Sequence, residues 1–131
     1  MELPARVLVV DDELIVCQSC ARILAEDGHQ VAAAQTGEEA LQKVQEDLFD
    51  VVLLDLRLPG CGGLRLLRAL REASPQTEVI VLTGYPTLES AKEAIRLGAL
   101  EYVTKPVRPE ILRTVVAQIV ACKCWRLQEG R

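Results

Sequence analysis

Three aspartates, a threonine and a lysine stand where this chain passes from apolar run to polar loop, and together they have the makings of a phosphoryl-transfer site. Asp11 and Asp12 follow Val7-Leu8-Val9-Val10, and Asp55 follows Val51-Val52-Leu53-Leu54. Thr83 ends Val79-Ile80-Val81-Leu82, and Lys105 follows Tyr102-Val103-Thr104. Carboxylates brought close together repel. A hard divalent cation such as Mg²⁺ relieves that repulsion with oxygen ligands and keeps coordination positions for water and phosphate. With an ammonium and a hydroxyl in the same cluster, one carboxylate can attack phosphorus while positive charge and a hydrogen-bond donor meet the equatorial oxygens. The product of that chemistry is an aspartyl phosphate. Asp55 is the candidate nucleophile, because Pro59-Gly60 forces a turn soon after it and leaves its carboxylate on a loop.

Such a cluster forms only if the strand ends share one edge. Apolar runs without alternation predict strands buried on both faces, as in a parallel sheet. Between them, Leu14 to Asp27 reads as a helix with Cys17, Ala21 and Leu24 inward and Gly28 as its stop. A short strand, Val31 to Ala34, follows. Thr36-Gly37-Glu38-Glu39 has the form of a capping box, ahead of a helix striped by Ala40, Leu41, Val44 and Leu48. Leu64, Leu67 and Leu70 mark a third helix, ending near Ser74-Pro75. Thr87 can cap a fourth, with Leu88, Ala91 and Ile95 expected inward and Gly98 at its end. Pro109 opens a final helix that runs to about Cys124, with Leu112, Val115, Val116 and Ile119 as its apolar face. Five strands alternating with five helices predict right-handed crossovers and an α/β fold. The expectation is a doubly wound, flavodoxin-like five-stranded parallel sheet of order 2-1-3-4-5, whose carboxyl edge gathers the residues named above. The domain is expected to span residues 1–124, with 125–131 a tail or the start of a linker.

Asp11-Asp12, Asp55, Leu82-Thr83-Gly84 and Tyr102-Val103-Thr104-Lys105-Pro106, in that order at strand ends, resemble the CheY-like response-regulator receiver domain of two-component signalling. The resemblance runs from about Arg6 to Cys124. It implies that Asp55 accepts a phosphoryl group from the phosphohistidine of a sensor histidine kinase. It also implies that Asp11, Asp12, Asp55 and the backbone carbonyl of Arg57 hold Mg²⁺, that Lys105 contacts the phosphoryl oxygens, and that the Lys105-Pro106 peptide is cis. Thr83 and Tyr102 match the family's switch pair, whose movement repacks the face made by the fourth helix, fifth strand and fifth helix. That face would meet an output domain or effector. Homodimerisation on phosphorylation is expected there from the apolar breadth of Val115, Val116, Ile119 and Val120. The implied role is regulatory and not enzymatic, apart from the domain's own phosphotransfer and dephosphorylation. Thr83-Gly84-Tyr85-Pro86-Thr87 and Ala94-Ile95-Arg96-Leu97-Gly98-Ala99 are similar to receivers of bacterial enhancer-binding, NtrC-like transcription activators. Two departures stand out. Cys61-Gly62-Gly63 is expected to loosen the loop before the third helix, and bulky Arg57 and Tyr85 are expected to obstruct hydrolytic water and lengthen the life of the phosphate.

Rival chemistries fit less well. A phosphohydrolase of the haloacid dehalogenase type needs an aspartate two residues past its nucleophile, where this chain has Arg57. A flavin or nucleotide binder of the same architecture wants a Gly- or Ser/Thr-rich loop where Asp11-Asp12-Glu13 stands. The 131 residues carry 15 Lys and Arg against 19 Asp and Glu, a net charge of -4, which argues against direct nucleic-acid binding. No signal arrangement or bilayer-length apolar run is seen, so a cytoplasmic location without membrane contact is expected. Cys17-x-x-Cys20 and Cys122-x-Cys124 raise zinc, but on helices, without a loop knuckle or an accompanying histidine, reduced filler thiols are the better expectation. His29, behind Gly28, is expected to be a solvated turn residue.

Overall fold

The computed structural model of the protein describes residues 4–58 and 62–129, with side chains through position 123. Strands β1 (Arg6–Val10), β2 (Gln30–Ala34), β3 (Val51–Asp55), β4 (Glu78–Thr83) and β5 (Glu101–Thr104) alternate with helices α1 (Leu14–Ala25), α2 (Gly37–Glu46), α3 (Gly63–Ala73), α4 (Leu88–Arg96) and α5 (Pro109–Glu129). The strands form one parallel sheet in the order β2-β1-β3-β4-β5. Its register sets Val10 beside Leu54, Asp55 beside Leu82 and Thr83 beside Thr104, so the polar residues emerge along a single edge.

Alternation along the strands divides the core in two. Val7, Val9, Val51, Leu53, Ile80 and Leu82 pack under α1 and α5, against Cys17, Cys20, Leu24, Leu112, Val116 and Ile119. Leu8, Val10, Val52, Leu54, Val79 and Val81 pack under α2, α3 and α4. β3 is buried at all five positions. Each aliphatic side chain so enclosed contributes about 1.5–3 kcal/mol, which makes β3 a firm platform for the carboxylate at its end. Thr36 caps α2 by accepting the Glu39 N–H at 3.1 Å, while Glu39 Oε1 accepts from Gln35 N–H, one residue ahead of the cap.

Several elements depart from expectation. On α4, Leu88 is 74% and Ile95 51% exposed, and Ala94 is fully buried. The inner line is Ser90, Ala94 and Leu97, because only a small residue lets this short helix lie close to the sheet. Leu48 is exposed, since α2 ends at Glu46 and the extended backbone of Asp47 hands the inward position to Phe49. α1 stops at Ala25 with Cys20, more than Ala21, facing the core. α5 continues past Cys124 to Glu129. Its Val115 and Val120 pack half-buried on the α1 side of the core and do not form a free surface. His29 is buried, not solvated, because its Nδ1 accepts the Ala5 N–H at 2.9 Å. Among the described residues no helix is long and apolar enough to cross a membrane.

Candidate functional site

At the carboxyl edge, Lys105 Nζ lies 2.6 Å from Asp11 Oδ2 and 3.4 Å from Asp55 Oδ2. Asp11 and Asp55 are buried and Asp12 is exposed. Carboxylate oxygens of the three aspartates fall within 4.8 Å of one another. Three carboxyl groups beside one ammonium make an all-oxygen donor set at the sheet edge. That chemistry fits a hard divalent cation.

Backbone groups fix the rest of the arrangement. The Glu13 N–H donates to Asp11 Oδ1 at 2.9 Å and the Arg57 N–H to Asp55 Oδ1 at 3.0 Å, which leaves each Oδ2 to the lysine. Thr83 is buried. Its Oγ1 accepts the Tyr85 N–H at 3.1 Å, and its carbonyl accepts the Lys105 N–H at 2.7 Å. The Lys105-Pro106 peptide is cis. Burial alone would work against the Lys105 ammonium, but the hydrogen bond and charge of Asp11, with Asp55 behind them, outweigh it and hold its pKa above the ordinary value. The lysine therefore carries its charge through the whole neutral range.

All five strand-end residues named from the sequence thus come together, with Arg57 at the same edge. Tyr102 packs on the α4 side of the sheet, and its hydroxyl lies 2.5 Å from Ser90 Oγ. Ser90 was not legible, since a serine at the third position after a Thr cap reads as part of the helix start. The Arg57 guanidinium stacks on the Tyr85 ring at 4.2 Å, a cation–π contact. A cavity of about 390 Å³ opens beside this pair, between Leu56, Gly63, Thr83 and Ser90.

At Gly63 a Cβ would meet the Leu56 Cα and carbonyl oxygen at 2.4 Å, so glycine there permits a close packing against the residue after Asp55. Gly62 adopts a φ of +78°, the left-handed region that glycine enters freely; Pro59, Gly60 and Cys61 lie outside the described residues. The thiols of Cys17 and Cys20 are buried, and burial pushes both up, Cys20 to about 11. They stay protonated at neutral pH, as apolar fillers do. Cys122 is exposed, and the side chain of Cys124 lies outside those described.

The family model for the response regulator receiver domain matches residues 7–117. The transcriptional regulatory protein ZraR of Escherichia coli K12 is 35% identical over 115 residues, which is 88% of this chain and 26% of that protein. The chain thus spans about a quarter of the curated relatives it matches. The CheY-like receiver domain structure from Methanospirillum hungatei JF-1 superimposes with a TM-score of 0.84 at 32% identity, covering 91% of this chain and 96% of that one. A response regulator structure from Burkholderia pseudomallei, which contains a phosphorylated aspartic acid, a calcium ion and citrate, gives 0.80 at 28% identity over 97% of this chain and 75% of that one. On the match across its length and the fold it shares, this chain belongs to the response regulator receiver domain family.

Proposed function

We propose that the chain is a phosphoacceptor switch in which Asp55 takes a phosphoryl group from the phosphohistidine of a sensor histidine kinase and the change of state passes to an output domain acting in transcription. The bridging ammonium carries this reading: Lys105 sits against Asp11 and Asp55 at once, at 2.6 and 3.4 Å, and supplies a fixed positive charge beside the candidate nucleophile. With Asp55 Oδ1 bonded to the Arg57 N–H, Oδ2, which faces the Lys105 ammonium, is the oxygen placed to attack. The Oδ2–P bond forms as the P–N bond breaks, and the imidazole leaves with the electron pair. Lys105 meets the phosphoryl oxygens. Because Thr83 Oγ1 already accepts from the Tyr85 N–H, its own proton is available to donate to one of them.

Asp11, Asp12, Asp55 and the backbone carbonyl of Arg57 would hold Mg²⁺. Bound there, it supplies charge neutralisation on the phosphoryl oxygens. The all-oxygen donor set supports that choice, as does the phosphorylated aspartate and calcium ion of the Burkholderia pseudomallei relative. Thr83 and Tyr102 form the switch pair, and the α4–β5–α5 face carries the result to an output domain, an effector or a second copy of the chain. The receiver is assigned to residues 1–124, with 125–131 a tail or the start of a linker. The length of ZraR, of which the match covers 26%, supports an output domain in the parent protein. This domain makes no nucleic-acid or membrane contact of its own and works in the cytoplasm.

Incubation with acetyl phosphate and Mg²⁺ should add one phosphoryl group by intact mass, and Asp55→Asn should abolish the adduct. The wild-type chain staying unmodified would overturn the reading.

A further inference from the structure

α4 is the most lightly held helix of the fold. Ala94 is its one buried residue among those described, whereas α1, α2 and α3 each bury three or more. Its amino-terminal half carries the exposed Leu88 and packs nothing large against the sheet. What holds that half is a chain of hydroxyls. Thr87 Oγ1 accepts the Ser90 N–H at 3.0 Å and lies 2.9 Å from Ser90 Oγ. Ser90 Oγ is 3.2 Å from the Thr87 carbonyl and 2.5 Å from the Tyr102 hydroxyl. Each hydroxyl has one proton, and one assignment satisfies all of these contacts. Thr87 and Tyr102 both donate to Ser90 Oγ, and Ser90 donates to the Thr87 carbonyl. β5 is thereby tied to the first turn of α4 through a single serine.

The register shows what the tie adjoins. Tyr102 stands opposite Val81, two residues before the pair Thr83 and Thr104, and strand alternation puts Thr83 and Tyr102 on the same, α4-facing side. Thr83 and Ser90 line the same cavity of about 390 Å³. The segment from Thr83 to Thr87 joins the candidate phosphoryl contact to the helix cap within five residues.

From this arrangement we infer that Ser90 is a positioning residue: its hydroxyl latches Tyr102 to α4 in the resting state and opposes the switch until the Thr83 segment moves. The inference rests on the proposed phosphoacceptor role only for its release, because the latch itself belongs to the resting protein. Without it, α4 opens more often.

Amide hydrogen exchange along α4 in the unmodified 131-residue chain tests the latch. Tyr102→Phe should speed exchange at the first turns about five-fold, the factor that one net hydrogen bond corresponds to, and Ser90→Ala, which also loses the Thr87 contacts, by at least as much. The double variant should go no further than Ser90→Ala alone, and Ser90→Thr, which keeps the oxygen, should restore slow exchange. Unchanged exchange, or additive effects in the double variant, would overturn the latch. Release is tested by adding beryllofluoride, a phosphoryl mimic, with Mg²⁺: the gap between wild type and Ser90→Ala should close. A gap that persists while the mimic is bound would overturn release, and failure of the mimic to bind at all would tell against the phosphoacceptor role, leaving the resting-state result to stand by itself.

Discussion

At Arg57 and Tyr85 the backbone and the side chain do different work. Their N–H groups hold Asp55 and Thr83 in place. Their side chains stack on each other at 4.2 Å. If this stacked pair screens an acyl phosphate on Asp55 from water, its removal should shorten the life of the phosphate. An exposed cation–π contact is worth about 0.5–1 kcal/mol, which corresponds to roughly a two- to five-fold faster dephosphorylation for Arg57→Ala or Tyr85→Ala. Loss of phosphoryl label from purified adduct measures it, and an unchanged rate would mean that the stacked pair does not screen the site. Both side chains are readable as bulky from the sequence, but not as partners, since the two residues lie 28 positions apart and only the sheet edge joins them. The carboxylates were readable because each ends an unbroken apolar run, whereas His29 and Ser90 carry no such signal: a histidine after a glycine and a serine after a cap have common local roles, and only tertiary contacts give these two their partners.

At the scale of elements, the strands declared themselves through runs buried on both faces, and the helix caps at Thr36 and Thr87 through side-chain chemistry that is local by nature. Helix orientation was less legible. The nine residues of α4 support two apolar lines, and the larger side chains lie on the outer one, because close approach to β5 admits Ala94 where Ile95 would be too large. The packing at the start of α3 is hidden in the sequence for a related reason. A Gly-Gly pair suggests looseness along the chain, yet Gly63 is the point where α3 begins in contact with the Leu56 peptide. Gly63→Ala must push that peptide away from β3. It should cost about 1–3 kcal/mol of stability, the usual toll of overpacking, and should slow phosphoryl uptake from acetyl phosphate by displacing the backbone next to Asp55. Denaturant midpoints and adduct formation measure the two effects. A variant matching wild type in both would show that the Leu56 segment yields without consequence.

Across the whole molecule, the chemistry sits at one edge of the sheet, and α4 beside it carries two of the exposed large apolar side chains among the described residues. Leu88 and Ile95 lie seven residues apart on the outer line of α4, so they share one face. Val115, Val116, Ile119 and Val120, by contrast, are committed to the core beneath α5. If phosphorylated chains pair through the α4–β5–α5 face, the exposed apolar residues there are Leu88 and Ile95 on α4 with Ile111 on α5, and not those four. Two copies related by a two-fold axis present each residue twice, so Ile95→Ser removes two buried side chains from one interface. At about 1.5 kcal/mol each, that is about 3 kcal/mol, or a dissociation constant roughly a hundred-fold weaker. Sedimentation of the chain loaded with beryllofluoride should then show dimer for wild type and monomer for Ile95→Ser at the same concentration, with Val120→Ala differing from wild type in stability and not in assembly. Wild-type chains that stay monomeric when loaded would exclude pairing through this face, and the Leu88–Ile95 stripe would remain as the surface offered to an output domain or effector.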